Sequence, residues 1–192
     1  MLKPVFASVA ALVIASPVLA QEENKQFYVG FNYGIGSGEE TISIADEEED
    51  YDTDVTSTRL SLGIIADDRI RFEASYGGYD LEFDDFEDSE ITTLEIDGIL
   101  TFQRNDFTPY LMAGFGVATY QDTGDFFEDG DDLSGFSIQL GAGLIFQPHE
   151  IVELDASYRL KIISWETVEV FGEDIESSNS MGLLNVGARI LF

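Results

Sequence analysis

The sequence predicts an all-β fold: an eight-stranded, antiparallel, up-and-down transmembrane β-barrel. Three observations predict it. Apolar residues recur at every second position in eight segments, most of them about 10 to 15 residues long, enough to cross a bilayer when tilted. The connections alternate: those at 38–54, 84–90, 122–134 and 166–178 are long and acidic, while those at 67–69, 103–107 and 147–150 are short. Tight turns at one end and loops at the other are the asymmetry of a membrane barrel. Finally, the charged residues on the non-apolar strand faces are five basic and five acidic. The whole 192-residue chain carries 9 Lys+Arg against 38 Asp+Glu, a formal net charge of -29.

The elements follow in order. Met1 to Lys3 is a short basic start, Pro4 to Ala15 is almost purely apolar, and Ser16 and Pro17 break the run. Val18 and Ala20 then place small residues at −3 and −1 of a cleavage site, so residues 1–20 read as a secretory signal peptide cut before Gln21. The run is shorter than the roughly 20 residues of a membrane anchor. Residues 21–192 form the barrel domain, which has no second long apolar run: Tyr110 to Ala118 is interrupted by Gly114 and Gly116. The first strand, 27–37, sets Gly30, Asn32, Gly34 and Gly36 on its inner face. Strand 55–66 carries Arg59 inward. In 70–83, Arg71 and Glu73 point inward; a bulge at Gly77 and Gly78 would switch the faces of Tyr79, Leu81 and Phe83. Strand 91–102 carries Glu95 and Asp97. Pro109 opens 108–121, where no ladder donor is lost, and Pro148 falls in a turn. Strand 135–146 sets Gln139, Gly141 and Gly143 inward. In 152–162, Val152, Leu154, Ala156, Tyr158, Leu160 and Ile162 alternate with Glu153, Asp155, Ser157, Arg159 and Lys161. The last segment sets Leu184, Val186, Ala188, Ile190 and Phe192 on one face, and Asn185 and Arg189 on the other.

The alternative with the same period is a soluble sandwich or lipocalin-like barrel, with its apolar face inward. Charge placement separates the two. Arg59, Arg71, Glu73, Glu95, Asp97, Glu153, Asp155, Arg159, Lys161 and Arg189 lie on the non-apolar faces, whereas the rest of the chain is overwhelmingly acidic. Balance is expected of a narrow lumen, where an unpaired charge is costly. The aromatics are expected to form two interfacial belts: Phe27, Phe102, Phe107, Tyr110, Phe146 and Phe192 at the short-turn end, and Tyr76, Phe83, Tyr120 and Trp165 near the loops.

The C-terminal LLNVGARILF, closing on an apolar-face Phe192, resembles the assembly signal of bacterial outer-membrane barrels. TPYLMAGFGVATY and LDASYRLKI are similar to the fifth and seventh strands of the small opacity-type, OmpA/OmpX-like outer-membrane proteins. The resemblance covers essentially the whole mature chain. It implies location in the outer membrane, lipid and lipopolysaccharide as surroundings, and the barrel-assembly machinery as a partner. It says little of function, because the family includes adhesins, serum-resistance proteins and small pores.

Other classes are weighed on the residues. The acidity excludes a nucleic-acid binder, which needs Lys and Arg for phosphates. The absence of Cys removes disulfides and thiolate metal sites. Small barrels that process lipid need a nucleophile or base near the outer leaflet. The single His149 sits in a short turn at the other end, and Glu153 and Asp155 are better explained by ion pairing with Arg159 and Lys161 than by acid–base work. No enzyme and no cofactor are expected. The four acidic loops hold 25 Asp and Glu residues and no Lys or Arg; Lys25, Arg69 and Arg104 fall at the turn side. Like charges crowded on one rim repel, and Ca²⁺ or Mg²⁺ would relieve the repulsion. The segment with Asp125, Glu128, Asp129, Asp131 and Asp132 has the wrong spacing for a calcium loop, so only diffuse, weak cation association is compatible with it. Tyr51, Phe86, Phe126, Phe127, Val170 and Phe171 would pack loop on loop or anchor a partner. The leading reading is a plugged barrel that displays acidic loops for a structural or surface-interaction role. The alternative is a narrow porin-like channel, suggested by the glycine-rich inner face.

Overall fold

The computed structural model describes residues 26–44, 47–83, 89–102, 107–121, 133–170 and 173–192. Residues 1–20, expected as a signal peptide, the loop acids at 84–88, Lys25, Arg104 and all five metal candidates (Asp125, Glu128, Asp129, Asp131, Asp132) lie outside the described residues. Nine strands appear among them: β1 Gln26–Ile44, β2 Glu47–Ile65, β3 Ile70–Glu82, β4 Ser89–Thr101, β5 Phe107–Gln121, β6 Leu133–His149, β7 Val152–Trp165, β8 Val168–Val170 and β9 Glu173–Leu191. Each pairs antiparallel with its neighbour, and β1 pairs with β9. The result is a closed eight-stranded barrel of β1–β7 and β9, with the three-residue β8 appended to β9.

The alternation read from the sequence is visible as burial. Along β7, inward residues are buried at every second position from Glu153 to Trp165, while Leu154, Tyr158, Leu160 and Ile162 stand exposed. Phe31, Phe72, Leu94, Phe115, Leu140 and Val186 are likewise exposed around the wall. Charged residues lie inside and large apolar ones outside. That is the inverse of a water-soluble barrel and the arrangement required where the wall meets hydrocarbon. No bulge interrupts β3: its register runs unbroken through Gly77 and Gly78 on both sides, so Tyr79 and Leu81 stay inside. A Cβ at Gly77 would sit 3.2 Å from the Tyr79 ring, so that glycine makes room for the tyrosine.

The structure corrects two long connections. Residues 38–54 are expected as a loop, yet β1 and β2 run on as a paired hairpin to Ile44 and from Glu47. The register explains how so acidic a stretch zips. Glu40 faces Tyr51, Asp50 faces Thr41, Glu49 faces Ile42 and Glu48 faces Ser43; between β1 and β2 only Glu39 and Asp52 set like charges opposite, and on the other side of β2 Asp54 faces Glu82. The Thr41 hydroxyl donates to Asp50 at 2.8 Å. In the same way β9 begins at Glu173, not near Leu184, and pairs with β1 as far as Ile44–Ile175. A projecting sheet in the order β2–β1–β9–β8 therefore rises from one side of the barrel. Burial holds the Glu40 carboxyl on this arm above its usual range. At the opposite end β6 continues through Pro148 to His149 with a register shift after Phe146, so the turn is shorter than 147–150.

Four aromatics expected in the belts turn to the interior instead: Tyr110 and Trp165 are buried there, and Phe83 and Tyr120 pack against the inner cluster of Val55 and Leu81. Tyr110 is 2% exposed and Trp165 7%. Each completes an inward alternation: Lys161, Ile163 and Trp165 on β7, Thr108 and Tyr110 on β5. The Trp165 indole N–H donates to Asn179 Oδ1, and its ring meets Tyr120 edge-on at 5.7 Å. Trp165 is the only tryptophan in the chain, so intrinsic indole fluorescence reports this position alone. Brominated acyl chains are expected to quench it weakly in vesicles; strong quenching would put the indole on the lipid side.

Candidate functional site: the packed lumen

The lumen is built by inward positions of every barrel strand. All ten charged residues assigned there by the sequence are buried: Arg59, Arg71, Glu73, Glu95, Asp97, Glu153, Asp155, Arg159, Lys161 and Arg189. Nine of them meet across the barrel. Arg59 Nη2 pairs with Asp97 and stands 3.1 Å from Glu73 Oε1. Glu73 Oε2 lies 3.6 Å from Arg189 Nε, and Arg189 Nη1 reaches Asp155 Oδ2 at 3.3 Å. Glu73 is thus shared by two guanidiniums in ion contacts that lack hydrogen-bond alignment. Asp155 also accepts from Tyr110 at 2.8 Å and Asn32 at 3.2 Å. Lys161 Nζ donates to Glu95 Oε1 at 2.6 Å and to the Tyr79 hydroxyl. Gln139 joins the two branches, donating to Glu95 at 3.2 Å and to Asp97 at 2.6 Å. Nearer the turn end, Arg71 binds Glu153 through both terminal nitrogens, at 2.7 and 3.1 Å, a bidentate geometry that fixes both side chains.

The pairing partners differ from those expected. Glu153 and Asp155 do not pair with Arg159 and Lys161 on their own strand. Four residues of extended chain separate Asp155 from Arg159, about 13 Å, whereas partners across the narrow lumen are within contact. Arg159 is buried, and among the described residues no ion pair or hydrogen bond joins it; its Nε is without a partner.

The glycines of the inner face lie beneath their neighbours' side chains. A Cβ on Gly114 would stand 1.8 Å from Asp97 Oδ1, and one on Gly187 2.0 Å from Asn32 Nδ2. One on Gly63 would enter the Tyr28 ring, and one on Gly143 the Tyr110 ring. Each pair is directly opposed in the register. The glycine-rich face therefore makes room for large inward residues opposite.

Sequence reasoning missed the apolar layers. Toward the loops, Val55, Tyr79, Leu81, Ile91, Ala118, Ile163, Trp165, Met181 and Leu183 form one buried cluster, with Phe83, Tyr120 and Leu133 packed against it. Toward the turns, Ile99, Tyr110, Met112 and Ile145 form a second, and Tyr28, Ile65 and Leu191 a third. Most of the charges lie between, while Arg71 and Glu153 stand at the level of the turn-end clusters, Arg71 directly opposite Ile65 and Ile99. Carrying the inward alternation of Arg71–Glu73 six and eight residues further, and that of Lys161 two and four, would have found Tyr79, Leu81, Ile163 and Trp165. Ser137 donates to Glu95 beside Lys161 but is fully buried. His149 is exposed in its turn and accepts from the Ile151 N–H at 3.4 Å. Among the described residues no His, Cys, Asp and Glu group could hold a metal ion. Leu184, Val186 and Ile190 face outward and Phe192 is exposed, with its backbone bonded to Phe27 at the closing seam. Ala188 is exposed on the same face.

Comparison with known proteins places this architecture. A family model described as an outer membrane protein beta-barrel domain matches residues 6–187. Among solved structures, Neisserial surface protein A is 21% identical with a TM-score of 0.57, the match covering 88% of this chain and 99% of that one. Outer membrane protein AlkL, determined by solid-state NMR in lipid bilayers, is 13% identical with a TM-score of 0.59, covering 90% and 92%. These two likenesses are of fold. No protein of curated function matches the chain in sequence.

Proposed function

The chain belongs to the outer membrane protein beta-barrel family, and on that premise we propose that it is a closed outer-membrane barrel whose role is structural or surface-interacting, exerted by its acidic outer end and not by conduction. The observation that carries this reading is the packed lumen: a layer of cross-barrel ion pairs lies between apolar clusters, with the inner-face glycines filled by neighbouring side chains. An eight-stranded barrel leaves an interior just wide enough for side chains to fill. The projecting β2–β1–β9–β8 sheet is the feature such an anchor would display; Glu39, Asp50, Asp52 and Asp54 are exposed on it. In this reading the short turns face the periplasm, residues 1–20 are removed on export, and the terminal strand ending at Phe192 is read by the assembly machinery. Lipid and lipopolysaccharide surround the wall, and Ca²⁺ or Mg²⁺ associates diffusely with the acidic end. A non-catalytic role is supported by the burial of Ser137 and the turn position of His149.

The test is conductance of the refolded mature chain in a planar bilayer, with and without millimolar Ca²⁺. Silence in both conditions is expected. Steady openings would replace this reading with the narrow channel, and openings that Ca²⁺ closes would assign the acidic end as a gate.

A further inference from the structure

An ion entering this lumen from the loop end meets two layers of opposite character. The first is apolar. Val55, Leu81, Ile91, Ala118, Ile163 and Leu183 come from six different strands, so carbon surrounds the axis on almost every side. On β1 the corresponding positions are Gly36 and Gly38, and a Cβ on Gly38 would lie 3.1 Å from Met181, whose side chain occupies that gap. Leu81, Ile91 and Ile163 have no exposed surface at all. The second layer is polar and adaptable. Glu73 is shared by two guanidiniums, Gln139 bridges two carboxylates, and Arg59 Nη1, Ser61 Oγ, Ser75 Oγ and Thr93 Oγ1 are buried donors without a partner. Such groups replace lost hydration by exchanging partners; methyl and methylene groups cannot.

We propose that the seal of this barrel is the apolar layer at the loop end, and that neither the ion-pair network beneath it nor the turn-end clusters, between which β3 and β7 bring the charged pair Arg71 and Glu153, is the barrier. Ions are stopped because the cluster's own aliphatic side chains cannot substitute for their water, and the few polar groups beside it are isolated: Asn179 and Ser137 flank Ile163 and are held by Trp165 and Glu95, and Thr53 stands alone near Met181. This rests on the closed-barrel reading above. Tyr79 joins the two layers: its ring belongs to the apolar cluster, while its hydroxyl takes the Lys161 proton donor.

The experiment compares three refolded chains in planar bilayers: the mature protein, a layer variant carrying Leu81→Ala with Ile163→Ala, and a network variant carrying Glu95→Leu with Lys161→Met. Only preparations that show the gel shift of a folded barrel are recorded. Expected are silence from the mature protein, steady unit openings from the layer variant, and silence from the network variant. A silent layer variant or a conducting network variant overturns the proposal. Openings in the unmodified protein overturn the closed-barrel reading instead, so the two failures are distinguishable. A measurement on the unmodified protein stands independently of both variants. Iodide added to vesicles is expected to leave most Trp165 emission, because the indole lies in the apolar layer. Strong iodide quenching would show ions entering that layer, and would overturn the proposal.

Discussion

Replacing Glu95 with leucine is expected to destabilise the folded barrel by about 3–5 kcal/mol, the range for removing one partner of a buried ion pair. Glu95 is the only carboxylate that pairs with Lys161 among the described residues, at 2.6 Å, and both are fully buried. Without it the ammonium keeps only the Tyr79 hydroxyl and ring. Ser137 and Gln139 lose an acceptor at the same time. A leucine fills the volume, so the loss measures charge and not a cavity. The companion is Glu95→Leu with Lys161→Met. Replacing the whole pair by apolar groups of similar size removes the stranded charge, and most of the loss is expected to be recovered. Urea unfolding of the refolded protein in lipid, followed by the shift in midpoint, checks both. A single variant as stable as the double would mean that Lys161 finds another partner or sheds its proton.

The second large effect is steric. A Cβ on Gly36 would stand 1.9 Å from the Gly182 carbonyl oxygen and 2.9 Å from the Leu183 Cα. These are backbone atoms of β9 at the closing seam, where Gly36 faces Leu183. A flexible side chain moves aside from such an intrusion; a paired strand must separate. Gly36→Ala is expected to cost about 1–3 kcal/mol or more and to lower the yield of refolded barrel, read as the fraction showing the folded gel mobility. Gly78→Ala is the control, because the nearest atom to its Cβ, Thr58 Oγ1, is 3.7 Å away. Equal yields from the two variants would mean the seam tolerates a wider spacing.

Most of the barrel was legible because its period is 2 and its two faces have opposite polarity. The ten lumen charges could be placed by counting from one strand to the next, and the inward assignment of Asn32, Gln139 and Asn185 follows from the same count. What was not legible has specific causes. Acid-rich stretches such as 38–54 read as loops, because composition is a proxy for solvation and does not report backbone pairing. The hairpin forms since cross-strand neighbours, not totals, set the repulsion. Trp165 and Tyr110 were assigned to the interface by residue type, although the alternation of their own strands pointed inward. The partners of Glu153 and Asp155 were sought along the chain, while closure of the sheet brings Arg71 and Arg189 to them from other strands. One-dimensional spacing finds which residues share a face, but the shear of a barrel decides which of them touch.

The arm made by β1, β2 and β9 has a mechanical consequence. Its carboxylates at Glu39, Asp50, Asp52 and Asp54 stand in solvent beyond the apolar wall. Withdrawing the barrel would drag these charges together through hydrocarbon, and each crossing carries a cost of order 1 kcal/mol or more. The pairing of β1 with β2 holds them abreast, so they cannot pass one at a time. The projection thus behaves like a toggle bolt. Once the barrel has closed, the arm blocks retreat, and the protein stays oriented by the height of a kinetic barrier as well as by the depth of its energy well.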